Sequence, residues 1–113
     1  MECVLVVTEA MERCGNDEEF LMEMISLFRD DLLECTHLLG VAYRNKKSIQ
    51  LREISHRIKG QAAMLAATDL CEKAEVVEHA SKTCTLVEHE YKQLLVSIDE
   101  FLLKTSDIKD INS

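Results

Sequence analysis

Residues 55–75 read SHRIKGQAAMLAATDLCEKAE, and this stretch decides the fold of the 113-residue chain. Its pattern predicts a helix that carries a histidine, a short break, and a second helix capped by Thr68. At about 100° per residue, one side of the first helix is apolar; it comprises Leu51, Ile54, Ile58, Ala62 and Leu65. The opposite side comprises Arg52, His56, Lys59, Gly60 and Ala63. His56 therefore points away from the predicted core.

The composition favours an all-α domain. Apolar residues make up 47% of the chain, aromatic residues only 4%, and there are three glycines and no proline. A sandwich or barrel would need turn residues at short intervals, so an aliphatic helical core is the better interpretation. The length suits one domain over residues 1–113. We expect its bundle core at about 17–104 and a polar, frayed tail at 105–113.

Charge and cysteine content narrow the class of protein. A formal net charge of −8 repels phosphate backbones and anionic membrane surfaces, so neither nucleic acid nor membrane is an expected partner. No apolar run approaches the roughly 20 residues that cross a bilayer. The five cysteines are an odd number with no C-x-x-C pair and no recognisable signal peptide. Reduced, buried thiols in a cytoplasmic protein are expected, with a nuclear location as well if the source is eukaryotic.

The first part of the chain predicts a short helix followed by a long one. The short helix covers about Thr8 to Arg13 and is stopped by Gly15, after which Asn16 and Glu19 resemble a capping box. The long helix should end at about Tyr43 or Arg44. Its predicted apolar stripe has spacings of three, four and seven residues; it comprises Phe20, Met24, Leu27, Phe28, Leu32, Cys35, Leu39 and Ala42.

Three further helices complete the predicted fold. Ser48 is the expected N-cap of the histidine helix, which runs to about Ala66. The stripe of the next helix is thin, comprising Leu70, Ala74, Val77 and Ser81. Residues 85–88 predict a capping box for the last helix, whose stripe comprises Val87, Tyr91, Leu94, Ile98, Phe101 and Leu102. Short connections make neighbouring helices antiparallel, which predicts an up-down-up-down four-helix bundle with a short extra N-terminal helix.

The surroundings of His56 distinguish it from a surface histidine without a role, the interpretation we give to His37, His79 and His89. Lys59 at i+3 could bind an oxyanion attached to the ring. Gly60 at i+4 costs helix stability by about 0.5–1 kcal/mol relative to alanine, which suggests that something large approaches the ring. Arg52 adds positive charge one turn earlier.

An exposed imidazole with a pKa near about 6.5 is largely neutral, and so nucleophilic, at neutral pH. A cation and a steric gap beside it suit acceptance of a phosphoryl group from a bulky protein donor. The sequence has no Gly-rich nucleotide loop, no P-loop and no cluster of metal-binding carboxylates. The chemistry would therefore come from a partner.

Residues 56–70, HRIKGQAAMLAATDL, resemble the motif of the histidine-containing phosphotransfer (HPt) domain family, His-x-(Leu/Ile)-Lys-Gly-Ser-(Ser/Ala)-x-x-x-Gly-Ala-x-x-Leu. Residues 10–21, AMERCGNDEEFL, also look like the family where they lead into the long helix. The resemblance covers nearly the whole chain. In two departures, Gln61 replaces a small hydroxyl residue and Ala66 replaces a glycine. Gln61 could alter partner docking, and Ala66 implies that the helix ends without a left-handed residue.

The resemblance implies that His56 is the phosphoacceptor, reacting through Nε2, and that Lys59 neutralises the phosphoryl oxygens. Gly60 would leave room for the partner's loops. In several members of the family a polar residue on the following helix bonds the other ring nitrogen. Glu78 is the best match and Glu75 a weaker one, although either could be a solvated helix charge. If Glu78 accepts a hydrogen bond from Nδ1, it fixes the tautomer that leaves Nε2 free.

The partners that the resemblance implies are response-regulator receiver domains, which supply an aspartate and Mg²⁺; a hybrid sensor kinase is a further candidate. We expect the chain itself to need no cofactor and to be a monomer. The candidate docking residues lie on or beside the histidine helix or in the first helix; they are Arg52, Gly60, Gln61, Ala63 and Met11. Phe20 and Met24 are open between docking and core roles.

Two functions from different classes follow from these observations. The first is a phosphorelay intermediate, a phosphocarrier without kinase activity of its own. The alternative is a non-catalytic bundle that binds a receiver or another protein without carrying phosphate. A metal site is disfavoured because no H-x-x-x-H or C-x-x-C spacing is present, and a sensor kinase would need an ATP-binding region.

Overall fold

The computed structural model describes residues 7–83 and 88–106, which form five helices and no strand. The helices are α1 (Val7–Arg13), α2 (Glu18–Arg44), α3 (Ser48–Met64), α4 (Thr68–Lys82) and α5 (Glu88–Lys104). Consecutive helices from α2 to α5 pack side by side, and α5 packs back against α2. α1 packs on α2, and its Arg13 donates a hydrogen bond to the Ala63 carbonyl at the end of α3. The predicted all-α bundle with a short N-terminal helix is confirmed.

The core is aliphatic, with one aromatic contact at its centre. The predicted stripes of α3, α4 and α5 face it, with Ile58, Val77 and Leu94 fully enclosed. Phe28 of α2 meets Phe101 of α5 edge to face, with ring centroids 5.3 Å apart. This geometry is a preferred one for aromatic pairs because the positive ring edge meets the negative face. Because this stripe places Val77 in the core, it also sets the rotation of α4 about its own axis.

The start of α2 differs from the prediction. Asn16 is not the N-cap; Asp17 is, and its Oδ1 accepts a hydrogen bond from the Phe20 N–H at 3.1 Å. Asn16 instead belongs to the turn that ends α1. It follows Gly15 in the left-handed region, at φ 60°, and its N–H donates to the Met11 carbonyl at 2.7 Å. Asparagine tolerates that conformation better than most residues, so the cap role passes to the next acidic side chain.

Two other turns also use left-handed residues that are not glycine. Lys46 (φ 55°) follows α2, and Ala66 (φ 56°) follows α3. The expectation that α3 ends without a left-handed residue is therefore wrong. The Ala67 N–H donates to the Ala62 carbonyl at 2.9 Å, and this closing hydrogen bond requires the left-handed residue between them. Ser48 and Thr68 are the first residues of their helices, and neither caps with its side chain.

The apolar stripe of α2 is shifted from the prediction over its first turns. Leu21 and Ile25 are buried, whereas Phe20 and Leu27 are 45% and 62% exposed. The predicted stripe was wrong at Phe20 and Leu27 because Leu21 and Ile25 have the same helical spacing one position along the chain. Periodicity alone does not choose between these two sides of the helix.

The end of α5 is held by a buried arginine. Arg29 of α2 donates to the Leu102 carbonyl at 2.6 Å and to the Thr105 hydroxyl. Thr105, expected at the start of a frayed tail, is instead buried. The remaining tail, residues 107–113, lies outside the described residues. So do residues 85–87 of the predicted capping box at 85–88, among them Val87 of the predicted α5 stripe. The two hydrogen bonds from Arg29 provide partners for a carbonyl and a hydroxyl group at the end of α5, where the helix itself offers the carbonyl no partner.

The cysteines that the structure describes are free thiols: Cys14 and Cys35 are buried and Cys71 is partly buried. Burial, together with the nearby charge of Asp31, raises the pKa of Cys35 to about 12. That thiol is therefore protonated and unreactive at neutral pH. Cys3 and Cys84 lie outside the described residues.

Candidate functional site

His56 stands on the exposed face of α3, with 67% of its side chain accessible to solvent. Its ring is nevertheless held on one side. Nδ1 lies 2.6 Å from Oε2 of Glu78 on α4, whose side chain is only 10% exposed. Glu78 directly follows the core residue Val77, so the packing of α4 places its carboxylate at the seam between α3 and α4.

The Glu78 carboxylate is charged at neutral pH. Burial alone would raise its pKa, but hydrogen bonds from Lys59 and His56 outweigh that effect, and the pKa of Glu78 is lowered from its ordinary value of 4.5. An ionised carboxylate only accepts hydrogen bonds, so the proton between the two side chains belongs to Nδ1. In the neutral ring, Nε2 then has no proton and presents its lone pair to solvent.

Lys59 binds the other oxygen of the same carboxylate. Its Nζ lies 2.6 Å from Oε1 of Glu78, and this contact raises the pKa of Lys59. The carboxylate thus joins the ring of His56 to the ammonium group of Lys59, two residues one turn apart on α3. Lys59, which we expected to neutralise the phosphoryl oxygens, is therefore bound to Glu78 in this structure.

Gly60 lies beside the ring in open space. A Cβ added at this position would meet no atom of the described residues within 4 Å, and the residue does not have a positive φ. Neither packing within the chain nor backbone conformation therefore requires glycine there. Glu75, the weaker candidate for contact with the ring, is exposed and makes no hydrogen bond with His56.

The other predicted docking residues are divided between different surroundings. Gln61 lies against α2, where its Nε2 donates to Oδ2 of Asp31 at 2.8 Å. Met11 is partly buried and packs against the core. Ala63 and Arg52 lie on the histidine face of α3, and Ala63 is exposed. Arg52, Gly60 and Ala63 therefore share a helix face with His56, whereas Gln61 is directed toward α2.

An apolar groove beside the histidine face was missed by sequence reasoning. It has a volume of about 330 Å³ and lies between α2 and α3; its lining comprises Met24, Leu27, Phe28, Met64 and Leu65, with Asp31 and Gln61. Met64, two turns after His56, is 54% exposed. At about 100° per residue, Met64 lies about 80° from His56 around the axis of α3. This spacing could have indicated that an exposed apolar residue borders the histidine face.

Within the described part of the chain, no group of His, Cys, Asp and Glu side chains has the arrangement of a metal site. In residues 7–83 and 88–106, no helix combines the length and the apolar character needed to span a bilayer.

Comparison with known proteins identifies the family of the chain. The family model described as "Hpt domain" matches residues 23–103, which is well over half of the chain and includes His56, Lys59 and Glu78. The chain therefore belongs to the Hpt domain family. Searches of curated proteins and of solved structures found no match. Hpt domains carry phosphoryl groups in two-component signalling, interact with receiver domains and have no kinase activity of their own.

The shared carboxylate should make stability depend on pH. Because the folded-state pKa of Glu78 lies below its unfolded value, its contribution is fully present above about pH 5 and is lost as the pH falls through the folded pKa. We expect the unfolding free energy of the wild type to fall more steeply between about pH 5 and pH 3 than that of Glu78→Gln. Urea denaturation at a series of pH values measures this; parallel curves for the two proteins would contradict it.

Proposed function

We propose that this chain is a phosphorelay intermediate. His56 accepts a phosphoryl group from the aspartate of one receiver domain and passes it to the aspartate of another. The observation that carries the proposal is the exposed ring whose Nδ1 is bound to the buried Glu78 carboxylate at 2.6 Å. This contact keeps Nε2 unprotonated and turned away from Glu78, as an attacking nitrogen must be.

The reaction needs little from the chain besides position. The Nε2 lone pair attacks phosphorus, an N–P bond forms, and the P–O bond of the aspartyl phosphate breaks with the carboxylate as leaving group. Phosphoryl transfer depends chiefly on alignment and on neutralising charge on the phosphoryl oxygens. We expect the receiver to supply the Mg²⁺ that performs part of this neutralisation.

The surface around His56 supports docking of a second protein. Gly60 and Ala63 have small side chains on the same face, and the apolar groove lined by Leu27 and Met64 lies beside it. Exposed apolar side chains bordered by polar ones are typical of interaction sites. We place the relay in the cytoplasm, where the free thiols of Cys14 and Cys35 would persist.

The direct test is transfer from a panel of phosphorylated receiver domains to the purified chain. Wild type is expected to acquire an acid-labile, base-stable phosphate, and His56→Gln is expected to acquire none. His79→Gln is the matched control, because His79 is an exposed histidine on α4.

Undiminished uptake by His56→Gln would contradict the proposal. Binding of receivers without any transfer to wild type would favour the alternative, a non-catalytic interaction module.

Substitution of Gly60 should separate stability from transfer. Gly60→Ala is expected to raise the unfolding free energy by about 0.5–1 kcal/mol, because alanine is the better helix former and its Cβ would meet no atom of the residues that the structure describes. The same methyl group should slow transfer, since the partner's loops must approach the ring. Urea denaturation and single-turnover transfer measure the two effects, and unchanged transfer would show that this position lies outside the docking surface.

A further inference from the structure

Three cations project from the solvent-facing part of α3, and two of them are already paired. Arg57 donates from Nε to Oδ2 of Asp31 at 3.1 Å and makes a second contact with the same carboxylate through Nη2. Lys59 is bound to Glu78. Arg52 forms no ion pair and no hydrogen bond through its side chain with the residues that the structure describes.

The pairing of Lys59 leaves a charge problem at the phosphoacceptor. Together, Lys59 and Glu78 carry no net charge. A phosphoryl group on Nε2 carries about −2 at neutral pH, and the ring that keeps its Nδ1 proton becomes +1, so phosphorylation adds about −1 overall. Nδ1 of His56 is turned toward Glu78, so a phosphoryl group on Nε2 would extend from the opposite side of the ring. Lys59 already donates one of its ammonium hydrogen bonds, at 2.6 Å, to Glu78.

Arg52 is placed to supply the missing charge. It precedes His56 by four residues, and side chains with this spacing have Cβ atoms about 5–6 Å apart on the same helix face. Side chains on a helix lean toward its N-terminus, so the ring of His56 leans over the turn that carries Arg52. The guanidinium group is a planar fork whose N–H groups match the spacing of phosphate oxygens.

We propose that Arg52 binds the oxygens of the phosphoryl group on His56 Nε2, while Lys59 stays bound to Glu78. The inference rests on the proposed function only in taking His56 as the phosphoacceptor. No bond forms or breaks at Arg52; it lowers the energy of the phosphorylated state by charge and hydrogen bonds. Glu78 and Lys59 orient the ring, and Arg52 holds the group that the ring carries.

The test uses phosphoramidate in place of a receiver. Nε2 of His56 attacks its phosphorus, the P–N bond of the reagent breaks, and ammonia leaves, so no partner protein is needed. A ³¹P NMR titration of the phosphorylated chain then reports the pKa of the phosphoryl group. We expect Arg52→Gln to raise that pKa by about 0.3–0.7, the two- to fivefold change in proton affinity that one exposed ion pair produces.

The controls separate local contact from net charge. Lys104→Gln removes an exposed cation from α5, the helix diagonally opposite α3, and should leave the phosphoryl pKa unchanged. Arg52→Lys keeps the charge without the planar fork and should give a smaller rise than Arg52→Gln.

An Arg52→Gln value equal to that of Lys104→Gln would overturn the proposal. If receivers do not phosphorylate the wild type but the Arg52→Gln shift is present, the relay function fails while this inference stands.

Discussion

The site depends on one carboxylate that two residues of α3 share. Glu78 holds Nδ1 of His56 with one oxygen and Nζ of Lys59 with the other, each at 2.6 Å. A carboxylate bound to the ring alone could turn together with it. Because Lys59 binds the second oxygen, the carboxylate is fixed by two partners on successive turns of α3, and the ring is oriented as a consequence.

The bundle makes this arrangement possible by setting the rotation of α4. Val77 and Ala74 are fully buried, and Glu78 follows Val77 directly, so its Cβ leaves the core at the seam facing α3. The side chain therefore lies at the border between core and solvent. Partial removal from water strengthens its interactions with His56 and Lys59, and those two partners keep the carboxylate ionised despite burial.

Much of this organisation could be predicted from the sequence. The stripe of Leu51, Ile58 and Ala62 fixed which face of α3 is exposed, and that placed His56 in solvent. The expectation of a polar contact with the ring came from the resemblance to the HPt family, and Glu78 was the best match because it lies off the stripe of Ala74 and Val77. The exposed face of α3 and the place of Glu78 on α4 both follow from helical periodicity, which is a local property of the chain.

Sequence reasoning missed the features that depend on how the helices pack, how they are connected and which side chains meet between them. Phe20 and Leu27 have the spacing of core residues, but the neighbouring side of α2, with Leu21 and Ile25, is the one that packs into the core. Ala66 takes a left-handed conformation because the turn between α3 and α4 requires it, although alanine rarely adopts this conformation. The engagement of Lys59 by Glu78 joins residues 19 positions apart in the sequence, on different helices.

The three cations of α3 differ in their partners. One set of charges, Lys59 with Glu78, holds the ring in the unphosphorylated chain. Arg57 is directed to Asp31 and helps to attach α3 to α2. Arg52 has no ion pair with the residues that the structure describes, and for this reason we propose it as the ligand of the phosphoryl group.

The most direct test of the role of Glu78 is ¹⁵N NMR of the His56 ring before and after phosphorylation by a receiver. The expected result is a neutral ring protonated at Nδ1 in the free chain, and a phosphoryl group bonded to Nε2, with Nδ1 still protonated, in the product. A free ring protonated at Nε2, or a phosphoryl group on Nδ1, would contradict it.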